Sequence, residues 1–176
     1  MKAIETERLI LRPFQKDDAP RMFESWCSDE NVARYCRWTA HKNVSDTERL
    51  LASYLKQQED GFQYRWAIAD KDTGDLMGCI DVVGISDDRK TCELGYSIGR
   101  KYWSKGYTTE AARAVISRLF DDGFQKIRAC HHTDNPASGK VMQKLGMHYT
   151  GQSQHQAKFD SDEICTVNNY ELDRPE

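Results

Sequence analysis

Proline is scarce, with four in 176 residues. No apolar run approaches the roughly 20 residues that a membrane-crossing helix needs, so no membrane partner is expected. The opening Met1–Arg8 is charged and lacks the apolar stretch of a secretion signal. Six cysteines stand at positions 27, 36, 79, 92, 130 and 165, none of them at C-x-x-C spacing. They read as reduced thiols of a cytoplasmic protein, with Cys79, Cys92 and Cys130 as small core residues. Neither they nor the five histidines show ligand spacing, so no metal site is expected. A net charge of -3 argues against a general nucleic-acid binder. G-x-x-x-x-G-K-[ST] and G-x-G-x-x-G are both absent, which weighs against a nucleotide-binding regulator.

What is present suits one domain spanning residues 1–176, with a real core: 39% hydrophobic, 30% charged and 10% aromatic residues. Arg8–Arg12 alternates as a short strand ending at Pro13. Asp17-Asp18-Ala19-Pro20 opens a helix running to about Trp26, and Ser28-Asp29-Glu30 caps a second short piece. Ser45 and Glu48 fit a capping box ahead of a helix with Leu50, Leu51, Tyr54 and Leu55 on one face, closed by Gly61. Strands follow at Phe62–Ala69, Leu76–Ile85 and Cys92–Ile98, with turns at 71–75 and 87–90. Then come a helix over Thr108–Asp121, a strand over Lys126–His132, a helix opening at Asn135-Pro136 and two last strands. An antiparallel meander followed by β-α-β predicts one mostly antiparallel mixed sheet with helices on both faces, an α/β fold.

The most informative stretch is Arg100–Ala111. A strand, a tight basic turn with Gly106 and a helix N-terminus form an anion cradle, because free N–H groups and the helix dipole favour negative charge there. A phosphate-bearing ligand is the expectation. Alone, such a turn reads more readily as a βα connection with solvated lysines.

Three motifs bear on the family: T-E-R-L-I-L-R-P at Thr6–Pro13, W-S-K-G-Y-T-T-E-A at Trp103–Ala111 and N-P-A-S-G-K-V-M-Q-K-L-G-M at Asn135–Met147. With the order of elements, they resemble the GNAT acyltransferases, and within them the RimJ/RimL type that acetylates ribosomal-protein N-termini. The resemblance implies acetyl-CoA as cosubstrate and an amine acceptor. Against the family's loop Q/R-x-x-G-x-G/A, Trp103 stands for the basic residue and Thr108 for the final small one, with Gly106 retained. The implied acetyl-CoA contacts are Ser97, Ile98, Gly99, Trp103, Ser104, Lys105, Gly106, Tyr107, Thr108, Thr109, Asn135 and Ser138. Arg100, Lys101 and Lys105 add positive charge.

The implied chemistry is direct attack by a neutral amine on a thioester. Freeing an amine of pKa about 10 at pH 7 costs roughly 4 kcal/mol, which a carboxylate base offsets. Glu93 is the first candidate and Asp81 the second, though a mid-strand Glu also fits a solvent-facing position. His131 and His132 point to opposite sheet faces, so no more than one reaches the site. Many relatives carry a Tyr seven residues after the Asn as proton donor to the thiolate. Here Met142 stands there, and Ser138 takes the role. Asn135 also fits simple helix capping. Trp26, Tyr35, Trp38 and His41 fall in pieces that cover the acceptor side in this family, and equally suit a core. The favoured acceptor is a protein N-terminal α-amine. The alternatives are a small amine such as a polyamine, aminoglycoside or amino acid, or a non-catalytic acyl-CoA-binding module. A homodimer through a sheet edge is compatible with this fold.

Overall fold

A computed structural model describes residues 2–175. Its elements run β1 (Ile4–Glu5), β2 (Leu9–Arg12), α1 (Ala19–Met22), α2 (Glu30–Ala33), α3 (Val44–Glu59), β3 (Arg65–Asp70), β4 (Leu76–Ile85), β5 (Thr91–Ile98), α4 (Tyr107–Asp121), β6 (Lys126–His132), α5 (Pro136–Lys144), β7 (His148–Gln156) and β8 (Ile164–Asp173). The strands form one sheet in the order β1-β2-β3-β4-β5-β6-β8-β7. Every pairing is antiparallel except β5 with β6, which are joined through α4.

The sheet is apolar on both faces. On one, Trp66, Ile68, Met77, Ile80, Cys92 and Leu94 pack with Ala111, Ala112, Val115 and Leu119 of α4 and Met142 of α5. On the other, Ala67 and Cys79 pack with Met22, Trp26, Val32 and Leu51 of the N-terminal helices. Alternation along β3 and β4 feeds both layers. The α4 periodicity seen in the sequence is the stripe that is buried, each large side chain contributing about 1.5–3 kcal/mol.

Local chemistry shifts several expected boundaries. The capping box is Asn43 with Asp46, not Ser45 with Glu48: Asn43 accepts from the Asp46 amide, and Asp46 accepts from the Asn43 amide. This starts α3 early and buries Thr47, whose hydroxyl meets His41 Nδ1 at 2.8 Å. The helix expected through Trp26 holds α-geometry only to Met22, and Phe23–Cys27 is a π-helical turn. There the Phe23 carbonyl accepts from both the Ser28 amide and the Ser28 hydroxyl, at 3.2 and 2.7 Å. The predicted strand Phe62–Ala69 begins at Arg65 rather than Phe62, and β1 went unread because two residues are too few to show a period.

Candidate active site

β5 and β6 are paired only from Thr91–Lys126 to Glu93–Arg128. Beyond that the strands part, leaving a V with walls of Leu94–Ile98 and Ala129–His132. Alternation sends Cys92, Leu94, Tyr96 and Ile98 towards α4, and Glu93, Gly95 and Ser97 to the opposite face.

The cradle lies where β5 runs into α4. A 3₁₀ turn, Arg100–Tyr102, leads in, and Gly106 caps α4 at φ 83°. Ser104 is also left-handed, at φ 60°. Two left-handed residues in so short a stretch turn successive amides to one side as an anion-binding nest. Among the described residues, none of the N–H groups from Ser104 to Thr109 has an acceptor. The loop is braced from outside. The Trp103 indole donates to the Ile98 carbonyl at 2.9 Å, and Arg8 donates to the Lys105 carbonyl at 3.1 Å. Arg8 also grips Glu110 in the first turn of α4. Burial opposes the Glu110 charge, but the Thr6 hydroxyl and the Arg8 amide and guanidinium hold its carboxyl below the ordinary value.

The basic residues of the turn do not act together. Arg100 is drawn to Asp29 at 3.0 Å and Lys101 to Asp75 at 3.8 Å, on a second, polar cavity. Lys105 has no ion-pair partner among the described residues. Gly99 is buried against Ser25, whose carbonyl oxygen a Cβ would approach to 2.5 Å.

On the α5 side, Asn135 caps the helix by accepting from the Ser138 amide at 3.4 Å. The Ser138 hydroxyl meets the Tyr96 hydroxyl at 2.9 Å across the V. Burial pushes the Tyr96 phenol up to about 12, and the Ser138 hydrogen bond offsets part of that. Sequence reasoning missed the Tyr96 side chain. The signal available was its place in the Cys92–Leu94–Tyr96–Ile98 alternation. Met142 is buried in the core. His131 is buried as well, with Nδ1 against the His132 carbonyl and Nε2 facing Gly139, where a Cβ would come within 2.6 Å.

On the other face, Glu93 borders a cavity of about 310 Å³ with Arg128, Cys130, His155, Asn169 and Glu171. Glu171 is held by Lys126 and Arg128, both at 2.8 Å. Glu93 has no ion partner among the described residues; its nearest polar contact is Cys130 Sγ at 3.7 Å. Asp81 shares the face but is bound by Arg65 at 2.9 Å. Burial pushes the Asp81 carboxyl up, and Arg65 offsets only part of the rise. Trp26 is core, Trp38 packs against the same cluster, and Tyr35 lies beside His132 with ring centroids 5.2 Å apart.

A parted parallel strand pair, an amide nest at the following helix and a carboxylate facing a cavity thus stand around one end of β5. The chain belongs to the GNAT acetyltransferase family: residues 8–148 match the Acetyltransferase (GNAT) domain. It is 30% identical over 149 residues to the uncharacterized N-acetyltransferase YoaA of Bacillus subtilis, covering 84% of each chain. It is 24% identical to the [ribosomal protein uS5]-alanine N-acetyltransferase of Escherichia coli, over 84% of this chain and 79% of that one. An acetyltransferase of the GNAT family from Bacillus anthracis superposes with a TM-score of 0.85 at 24% identity, over 98% of both chains. RimL, a ribosomal L7/L12 α-N-protein acetyltransferase solved with coenzyme A, superposes at 0.80 and 17% identity, also over 98% of both. At these identities the structural likeness speaks for the fold. The domain match and the sequence relatives make this an N-acetyltransferase, in keeping with the RimJ/RimL-type resemblance.

Proposed function

We propose that residues 1–176 act as one cytoplasmic domain that moves the acetyl group of acetyl-CoA to the α-amine of a protein N-terminus. The observation that carries this is the V itself, with an unpaired carboxylate on one face, a hydroxyl pair on the other and the amide nest at its mouth. The nest fits the donor: orphan N–H groups from Ser104 to Thr109 match a diphosphate, with Lys105 beside them. Acetyl-CoA supplies the thioester carbonyl.

Glu93 takes the proton of the incoming ammonium group; it has no ion partner among the described residues, and only Oε1 is engaged, by the Cys130 thiol. Backbone N–H groups of β5 past the split stabilise the oxyanion. Ser138, with Tyr96, faces the leaving sulfur. A phenol pushed up to about 12 lies some 3 to 4 units above an ordinary thiol, so outright transfer from it is uphill by about 5 kcal/mol. Tyr96 therefore orients Ser138, which steadies the thiolate by a hydrogen bond while the proton comes from solvent or the new amide. Ser138→Ala is expected to lower kcat about 10²-fold, on the scale of a lost transition-state donor. Tyr96→Phe should cost less. Steady-state kinetics check both, and an unchanged kcat in Ser138→Ala removes it from the mechanism.

The ribosomal-protein relatives favour a polypeptide acceptor. CoA release with a short peptide, the same peptide with a blocked α-amine, and a panel of polyamines, aminoglycosides and amino acids tests this. Turnover with the free peptide and none with the blocked one is expected. Turnover with a small amine alone establishes the small-amine reading instead.

A further inference from the structure

The link between β7 and β8 crosses back to the N-terminal third through one side chain. Lys158 Nζ donates to the carbonyl oxygens of Ala33 at 2.6 Å, Cys36 at 2.7 Å and Trp38 at 3.2 Å, with that of Arg34 at 3.4 Å. An ammonium has three donors, and here all are taken up by backbone. Ala33 ends α2, and its carbonyl, which also accepts from the Cys36 amide at 2.9 Å, lies at a helix C-terminus, where positive charge is favoured. Two further ties run alongside. The Phe159 amide donates to the Arg37 carbonyl at 2.8 Å, and the Arg37 guanidinium sits 4.5 Å from the Phe159 ring centre.

Residues 34–38 belong to no helix or strand, so no backbone ladder holds them in place. Their other side borders the acceptor face. Tyr35 packs on His132 at the end of β6, two residues past Cys130, whose thiol is 3.7 Å from Glu93. His155, three residues before Lys158, lines the same cavity. The segment held by Lys158 therefore lies beside the space in front of Glu93, against the β6 end and the β7 side that border it, without itself lining that cavity.

We propose that Lys158 is a positioning residue for acceptor selection: by clasping 34–38 it sets the opening through which an amine reaches Glu93. This rests on the function proposed above. Lys158 touches neither Glu93 nor the amide nest, so its effect should fall on the acceptor and not on acetyl-CoA.

The test compares wild type, Lys158→Met and Lys158→Arg, with peptide acceptors of increasing length and one small amine. In Lys158→Met the peptide KM should rise about tenfold while acetyl-CoA affinity stays within about twofold. The preference for peptide over small amine should fall, and Lys158→Arg should restore part of it. Acceptor KM values within twofold of wild type overturn the proposal. Hydrogen exchange supplies a second reading, with faster exchange at 34–38 in Lys158→Met expected and unchanged exchange counting against the clasp. If Lys158→Met does not fold, Lys158→Gln, which keeps two donors, serves for both measurements. A wild-type protein that releases no CoA with any acceptor contradicts the function instead, and the clasp then stands or falls on hydrogen exchange alone.

Discussion

Glu93→Gln is expected to lower kcat by about 10²–10⁴-fold, the range of a lost general base. The substitution keeps shape and volume. Glu93 has no ion partner among the described residues, and its nearest polar neighbour is Cys130 Sγ at 3.7 Å, so little structure depends on its charge. Melting temperature and acetyl-CoA affinity should hold. The acid limb of the pH–rate profile should change, because the group that must lose its proton there is gone. Full turnover with an unaltered profile would falsify the assignment. Asp81 is the weaker candidate because its carboxylate is already bound to Arg65.

The largest stability effect is expected from Arg65→Met. Arg65 and Asp81 are both mostly buried, with side chains 15% and 14% exposed. The guanidinium also lies 3.9 Å from the Tyr54 ring centre and donates to Gln57. Removing it leaves a carboxylate uncompensated in a low-dielectric layer, a loss of about 3–5 kcal/mol. The pH dependence has a definite sign. Burial already holds the folded Asp81 carboxyl above its ordinary value, so the folded state keeps its proton to higher pH than the unfolded chain does. Stability from this group is present at low pH and falls as pH rises through the raised value. Without Arg65 the rise is larger, so the deficit should be greater at pH 7.5 than at pH 5. Denaturant unfolding at the two pH values measures it, and equal deficits contradict the account.

These residues also mark what a lone sequence conveys. Turns at 71–75 and 87–90, the apolar stripe of α4 and the Asn135 cap are local, set by residues a few positions apart, and all could be read. The Asn43–Asp46 box could be read too, but it overlapped a competing Ser45–Glu48 pattern. The Tyr96–Ser138 pair spans 42 positions, and Lys158 reaches carbonyls more than 119 positions away. Their partners follow from strand order and register, which no spacing rule carries. The basic turn shows the same limit: Arg100 and Lys101 read as positive charge beside the cradle, and that Asp29 and Asp75 stand next to them follows only from the fold.

The most direct test of the central claim is a thermal-unfolding series with acetyl-CoA, CoA, ATP and NAD. A ligand at about 100 times its Kd adds roughly 2.7 kcal/mol to the folded state. An upward shift in Tm with acetyl-CoA and CoA, and none with ATP or NAD, is the predicted result. A folded protein whose Tm moves with neither CoA species contradicts the reading of the α4 nest as the acetyl-CoA site.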